Sequence, residues 1–433
     1  MKKQSPLNLF FWALALVVFV VGLYGVYERI TTGHQQAAYG SYIPWGLWVA
    51  GYIFMIGLSA GAFLMSALVY VFRVQRLEKI GPLALLTALA TLLGALLMIW
   101  QDLGHPLRAW KLLFSTNFTS VMGWMVWLYT AYIILLAAEL WFALRVGLVQ
   151  SARLPGLNGA VCRVLSFGQR SDSDKARARD LRVLRILGSI GIPLAIAFHG
   201  SVGAIFGTVN ARPYWNSGLT PILFLVGALV SGGALLTFIT AIWGPNRGSS
   251  EHRSTMQFLG TVVLGLLALD VLLEWAEYSV GMWYPVSPEA ASIRLVLFGP
   301  YGWVYWGLHI VGGIVIPGLL LIFGRRSVAA ISLAGLLIAV TFLTVRLNIV
   351  LPALAVPELT GLEAAFTGPG LSYNYAPSVM EWLLFLWDIA LSALVLLIGL
   401  RVLPIVPAAD IVPGAVPPSP QGIATEPSKL EVA

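Results

Sequence analysis

Cysteine is almost missing: Cys162 is the only one in 433 residues. A lone thiol cannot close an internal disulfide or supply the ligands of an iron–sulfur cluster, so any such chemistry has to sit in another polypeptide. Charge is scarce too. Asp, Glu, Lys and Arg make up 10% of the sequence against 58% hydrophobic residues, and a mean hydropathy of +0.85 excludes an ordinary water-soluble domain. No Gly-rich phosphate loop, nucleophile elbow or Cys/His metal-ligand set is evident, which leaves hydrolysis, nucleotide binding and a resident metal without support.

What the sequence has instead is long apolar runs. Ten of them reach the roughly 20 residues needed to cross a bilayer: 9–27, 47–72, 82–102, 119–144, 183–209, 219–243, 256–280, 298–323, 328–350 and 380–402. Such runs predict an all-α integral membrane protein, because an open sheet leaves backbone groups unsatisfied in lipid. Twenty Lys and Arg fall on the side of the N-terminus and five on the other, with Arg346 inside a span. That bias puts both termini in the cytoplasm and accounts for the net charge of +7 without nucleic acid. The first span follows Lys2 and Lys3 with no convincing cleavage site and reads as a retained signal anchor. The inner connection 145–182 carries nine cations by its flanks and suits an anionic leaflet; the Pro- and Ala-rich stretch 404–433 reads as a disordered cytoplasmic tail.

An internal echo suggests how the spans are grouped. SAGAFL (59–64) in the second span resembles SGGALL (231–236) in the sixth, at an offset of 172 residues, and the same offset carries Asp102 onto Glu274. Four spans separate the copies, so the repeats run in the same sense through the membrane. The reading is two parallel-repeat four-helix bundles, spans 2–5 and 6–9, plus two peripheral helices. By residue the units are 1–43 (peripheral helix and outer loop), 44–210 (first bundle), 211–350 (second bundle), 351–403 (outer loop and tenth helix) and the tail.

The polar residues inside this scaffold are the candidates for function. Trp100–Phe114 (WQDLGHPLRAWKLLF) places Asp102, His105, Arg108 and Lys111 where a span emerges, and Gly104 with His105-Pro106 predicts a helix stop there. Alone this also reads as an interfacial cap with snorkelling cations. In the seventh span Asp270, Glu274 and Glu277 share one helical stripe at i, i+4, i+7, with Arg346 as the obvious counter-charge; an ion-pair clamp and a proton-conducting role both fit. His199 lies in the outer half of the fifth span, six residues after Pro193, and Glu139, His309 and Asp388 are further polar islands, the first two offered as steps for protons. The outer connections are aromatic and poorly charged, as a docking surface or an aromatic belt would be. A lipophilic substrate exchanging protons near the outer surface fits these residues. A quinone is such a substrate, since its two-electron reduction takes up two protons that an imidazole and a carboxylate can deliver.

Five long motifs now bear on family: WGLWVAGYIFMIGLSAGAFL, DLGHPLRAWKLLFSTNFTSVMGWMVW, IPLAIAFHGSVGAIFGTVNARPYWNSGLTPILFLVGALVSGGALL, LLEWAEYSVGMWYP and LNIVLPALAVPEL…GPGLSYNYAPSVMEW. Together they resemble the NrfD/PsrC family of membrane subunits of polysulfide-reductase-like respiratory complexes, over about residues 40–400. Ten spans match the branch that includes membrane subunits of certain nickel–iron hydrogenases and of alternative complex III. The resemblance implies a subunit without haem or an iron–sulfur cluster of its own. It implies a quinone or quinol partner, menaquinone by preference, and a periplasmic ferredoxin-like iron–sulfur subunit with a further catalytic subunit, in a prokaryotic cytoplasmic membrane. It maps the quinone pocket onto spans 2–5, with Asp102, His105 and His199 as its polar groups and Asp102 and His199 as the catalytic pair; His105 stands where the usual turn has Arg. Proton transfer maps onto Asp270, Glu274, Glu277, Arg346, Glu139 and His309. Two other classes answer to the same residues. A haem b cytochrome would use His199 and His309, both in outward halves, and a secondary transporter would use repeats and midplane charges, although transporter repeats are mostly inverted.

Overall fold

The structure is a computed structural model that describes residues 6–405, apart from 285 and 367; nearly all of the expected tail lies outside the described residues. Among the described residues, ten helices are long and apolar enough to cross a membrane: α1 Pro6–Thr32, α2 Leu47–Tyr70, α3 Gly81–Asp102, α4 Val121–Ser151, α5 Asp174–Gly207, α6 Thr220–Trp243, α7 Ser250–Gly281, α8 Val304–Phe323, α9 Val328–Ala355 and α10 Val379–Val402. No strand occurs among the described residues.

Serine side chains set several helix starts. Ser173, Ser249, Ser327 and Ser378 each accept a backbone N–H from three residues on, and Ser378 with Glu381 completes a capping box. Two features differ from the hydropathy reading. α4 and α5 run past the expected spans into the basic connection, where buried Arg145 meets Asp180 at 2.5 Å and ties the two ends together. The other lies at the eighth run: the outer connection before it holds a separate helix, Pro288–Phe298, ending at Gly299, and α8 opens with an i→i+5 wound stretch, Val304–Val315, before α-helix resumes at Ile316. The i→i+5 winding lies wholly inside an apolar stretch, so hydropathy does not register it.

Helix contacts fall into two rings. α2, α3, α4 and α5 touch in cyclic order, as do α6, α7, α8 and α9; α2 and α5 join the rings through α6, and α1 packs on α10, which leans on α3. The echoing motifs meet at the centre. A Cβ on Gly61 would collide with the Ala228 carbonyl oxygen, and one on Gly232 would fall 2.6 Å from the Gly61 Cα. Two backbones therefore touch there with no side chain between them, the contact that small residues permit in lipid. That contact makes α2 the core of the molecule, buried along nearly its whole length.

Candidate functional site

The helix stop expected after Trp100 forms at Asp102: Leu103 turns extended, Pro106–Arg108 makes one 3₁₀ turn, and the Trp100 indole donates to the Pro106 carbonyl at 2.9 Å. The break opens a cavity of about 870 Å³ between α2, α3, α4, α5 and α10. Its walls are apolar except at Tyr52, Asp102, Tyr129, Thr130 and Ser392, and at the Trp45, Trp100 and Trp110 indoles. Asp102 is the one carboxylate among the described lining residues. The Tyr129 hydroxyl donates to that of Tyr52 at 2.5 Å, and the buried Ser392 hydroxyl has no hydrogen-bond partner.

A polar cluster backs Asp102. Arg29, at the end of α1, donates from Nε to the Gln101 carbonyl and from Nη2 to the Leu103 carbonyl, both at 2.9 Å, and Nη2 lies 2.8 Å from His34 Nε2. His34 Nδ1 in turn meets the Tyr39 hydroxyl. Because arginine only donates, His34 Nε2 is the acceptor and the ring is neutral with its proton on Nδ1. Burial and the adjacent guanidinium push the His34 pKa down, while burial and the Asp102 charge push that of Tyr39 up. Below it Gln101 donates to Asp388 at 3.2 Å.

A second, smaller cavity of about 60 Å³ lies between α6, α7, α9 and the segment before α6. Here the expected stripe is gathered: Asp270, Glu274 and Glu277 line it with Arg346, Tyr278 and Asn348. The predicted pairing differs in detail. Glu274 accepts from His309 Nε2 at 2.8 Å, whereas Arg346 lies between the Phe224 and Phe342 rings and donates to the Phe224 carbonyl at 3.4 Å. The Arg346 Nε and Asn348 Nδ2 atoms are buried without partners.

The structure does not bring the other two expected quinone ligands to the large cavity. His105 is exposed on the turn beyond Asp102 and is absent from the wall, although Leu103 before it and Ala109 and Trp110 after it line the cavity. His199 is fully buried but faces α6: its Nε2 donates to the Phe224 carbonyl at 2.8 Å, the same oxygen Arg346 approaches, and its Nδ1 has no partner. The next residues on its stripe, Val202 and Phe206, face the cavity instead. Nε2 of His199 and Nε2 of His309 are thus both committed to hydrogen bonds, an arrangement unlike a pair of haem ligands. Glu139 is buried where Gly191 of α5 leaves room: a Cβ there would come within 3.2 Å of its Oε1, which has no partner. Sequence reasoning missed Tyr52, Tyr129, Ser392 and Arg29. The first three sit in apolar runs with no spacing signal, and Arg29 is an ordinary flanking cation until α1 is placed.

Comparison with known proteins sets this geometry in a lineage. The sequence model of the family described as "Polysulphide reductase, NrfD" matches residues 31–358. The protein is 37% identical over 381 residues to a selenate reductase subunit of Mesobacillus selenatarsenatis, covering 87% of this sequence and 89% of that one. It is 25% identical to the Hdr-like menaquinol oxidoreductase integral membrane subunit of Archaeoglobus fulgidus, covering 94% and 96% of the two sequences. Against the NrfD protein of Escherichia coli the identity is 28%, over 66% of this sequence and 86% of the other. With most of its length matched on both counts, this ten-helix membrane protein belongs to the NrfD polysulphide reductase family.

Proposed function

We propose that the protein is the quinol-reactive membrane subunit of a reductase complex and that the large cavity at Asp102 receives the quinol. The observation that carries this is the cavity itself: about 870 Å³ of mostly apolar wall with a single carboxylate at the end nearest the outer loops. That volume falls in the range of small-molecule sites, and a site for a greasy ring with two oxygens needs apolar walls and a few placed polar groups. The orphaned Ser392 hydroxyl and the Tyr52–Tyr129 pair are such groups. A quinol supplies two electrons and two protons when it is oxidised.

The protein's own residues manage the protons and the fit. Asp102 accepts a proton from a hydroxyl held against it, the role of a positioned general base. Tyr52 and Tyr129 present one shared hydroxyl edge and orient the ring, and the leucines of α3 with Met122, Met125 and Ile133 of α4 exclude water. Electrons leave to an iron–sulfur subunit of ferredoxin type docked on the aromatic outer loops, and from there to a further catalytic subunit. Names among the relatives support a reductase complex and menaquinol. Asp270, Glu274, Glu277, Arg346, His309 and Glu139 serve as proton-transfer groups in this reading, with His199 linked to Arg346 through the Phe224 carbonyl instead of touching quinol. The two helix rings are read as descendants of one repeat, the units 44–210 and 211–350. The membrane is the prokaryotic cytoplasmic one, with both termini inside.

The test is Asp102→Asn in the intact complex, assayed with dimethylnaphthoquinol. Turnover should fall by roughly 10²–10⁴-fold, the contribution of a general base, with the subunits still co-purifying. Wild-type turnover in that variant overturns the assignment.

A further inference from the structure

We propose that Arg29 of α1 is a positioning residue of the Asp102 site, so that the first helix belongs to the quinol-reactive machinery and is more than an anchor. The inference rests on the reading of Asp102 just given and extends it to a residue that lies outside the family-matched segment, which begins at residue 31.

The placement of Arg29 begins with glycine. Gly22, Gly25 and Arg29 fall on one face of α1 at i, i+3, i+7. On that face a Cβ at Gly22 would lie 2.6 Å from the Trp387 Cβ, and one at Gly25 would lie 2.7 Å from the Leu383 Cβ. α1 therefore rests directly on α10, and its end is fixed one turn beyond that contact. The guanidinium reaches across to α3 and there does two things at once.

First, it closes the end of α3. A helix leaves its last four carbonyls without intrahelical donors. Arg29 takes the Gln101 and Leu103 carbonyls, one on each side of Asp102, with two bonds of 2.9 Å from one rigid planar fork. The peptide that carries the Asp102 side chain is thereby held from both flanks, and the break after it keeps the direction that opens the cavity. Second, it sets a positive charge at the negative end of the α3 dipole, bonded to the carbonyls of the residues on either side of Asp102. Lysine could supply the charge but not the fork.

Arg29 is itself held. Its Nη2 is 2.8 Å from His34 Nε2, and its guanidinium carbon lies 6.0 Å from the Trp48 ring centroid. The loop 33–46 behind it is pinned by Glu381 of α10, whose Oε2 accepts from the Ala38 N–H at 2.9 Å and whose Oε1 accepts from Tyr375, which itself accepts from the Leu47 N–H. The flanking helices α1 and α10 thus form a frame around the end of α3. Arg29 is absent from the cavity wall, so it acts through Asp102 and not on the substrate.

The experiment uses the full complex with Arg29→Gln, Arg29→Lys, Asp102→Asn and the double variant Arg29→Gln/Asp102→Asn. Three quantities are read: kcat and KM for dimethylnaphthoquinol, binding of a quinol-site inhibitor by fluorescence titration, and the thermal midpoint of the protein. Arg29→Gln should lower kcat about 10-fold, with KM and inhibitor affinity within about twofold and a fall in thermal midpoint that leaves the protein folded at the assay temperature. Arg29→Lys should recover part of that loss. Adding Arg29→Gln to Asp102→Asn should cost nothing further, because two residues that act as one unit do not add. Wild-type kcat in Arg29→Gln alongside an inactive Asp102→Asn overturns the role of Arg29 and leaves the Asp102 reading intact. Equal further losses in the double variant also overturn it, as does a fall in thermal midpoint that accounts for the whole loss. Full activity in Asp102→Asn instead removes the reading on which the inference stands.

Discussion

The two cavities differ by more than tenfold in volume and in the opposite sense in charge. The one in the ring α2–α5 measures about 870 Å³ and has one carboxylate in its wall; the one in the ring α6–α9 measures about 60 Å³ and has three, with a guanidinium. The acids concerned, Asp102 and Glu274, are separated by the same 172 residues that separate the two glycine motifs. Two acids at that offset thus stand in two different environments. Where the helices splay, an aromatic ring and an apolar tail fit; where they close, there is space for about four water molecules. A water needs polar partners to stay, and the free Arg346 Nε and Asn348 Nδ2 donors supply them. The lesson is that an intramembrane acid does not reveal its task until the space beside it is known.

The comparison breaks most sharply on a pair of isosteric changes. Asp102→Asn should lower quinol turnover by roughly 10²–10⁴-fold, whereas Glu274→Gln, on the proton route and away from the quinol, should leave turnover in detergent, with no proton gradient, within about threefold. If the second variant matched the first in steady-state assays, the division between the cavities would fail. Glu274→Gln has its own signature: the hydrogen bond from His309 loses its charged acceptor, which should cost about 1.5–3 kcal/mol of stability by thermal unfolding in detergent. Within the large cavity, Tyr129→Phe removes the donor of the tyrosine pair. About 0.5–1.5 kcal/mol should be lost, read as a roughly two- to tenfold rise in quinol KM with kcat retained.

The smallest effect is a pH dependence behind Asp102. His34 has a pKa below its ordinary value, through burial and then Arg29, so the unfolded protein binds a proton there that the folded one resists. Stability from this site is complete above about pH 6.5 and declines as pH falls below it, towards the lowered folded value. The titratable groups hydrogen-bonded to the ring are Arg29 and Tyr39, and the Trp48 ring packs edge-on against it. His34→Gln should flatten the fall in thermal midpoint between about pH 7 and pH 5.5; an unchanged slope would contradict the neutral ring.

Much of this is legible in the sequence. Apolar length is a local property, so all ten helices can be located, and the Gly104–Pro106 stop places Asp102 at a helix end because both residues act through their own backbones. The stripe of Asp270, Glu274 and Glu277 follows from helical spacing alone. What sequence does not reveal depends on rotation and on contacts distant along the backbone. His199 and Val202 differ by three positions, yet one turns to the Phe224 carbonyl and the other to the cavity, a matter of how α5 is rotated against α6. Arg346 reads as a counter-ion for the stripe, and its place between two phenylalanine rings is set by side chains of α6 and α9. The i→i+5 winding of Val304–Val315 leaves no mark on hydropathy. The likeness of the two glycine motifs is legible, but that they press against each other is not.

That glycine contact bears on how the molecule is made. Helices leave the ribosome in order, and when α2 enters the bilayer its partner across Gly61 has not been synthesised. Until α6 arrives, about 150 residues later, the flat side of α2 lacks the backbone that covers it in the finished molecule. Truncations that stop short of Gly232 should accumulate as targets for membrane proteases, so biogenesis is a stage at which substitutions at this seam would be felt before any electron is transferred.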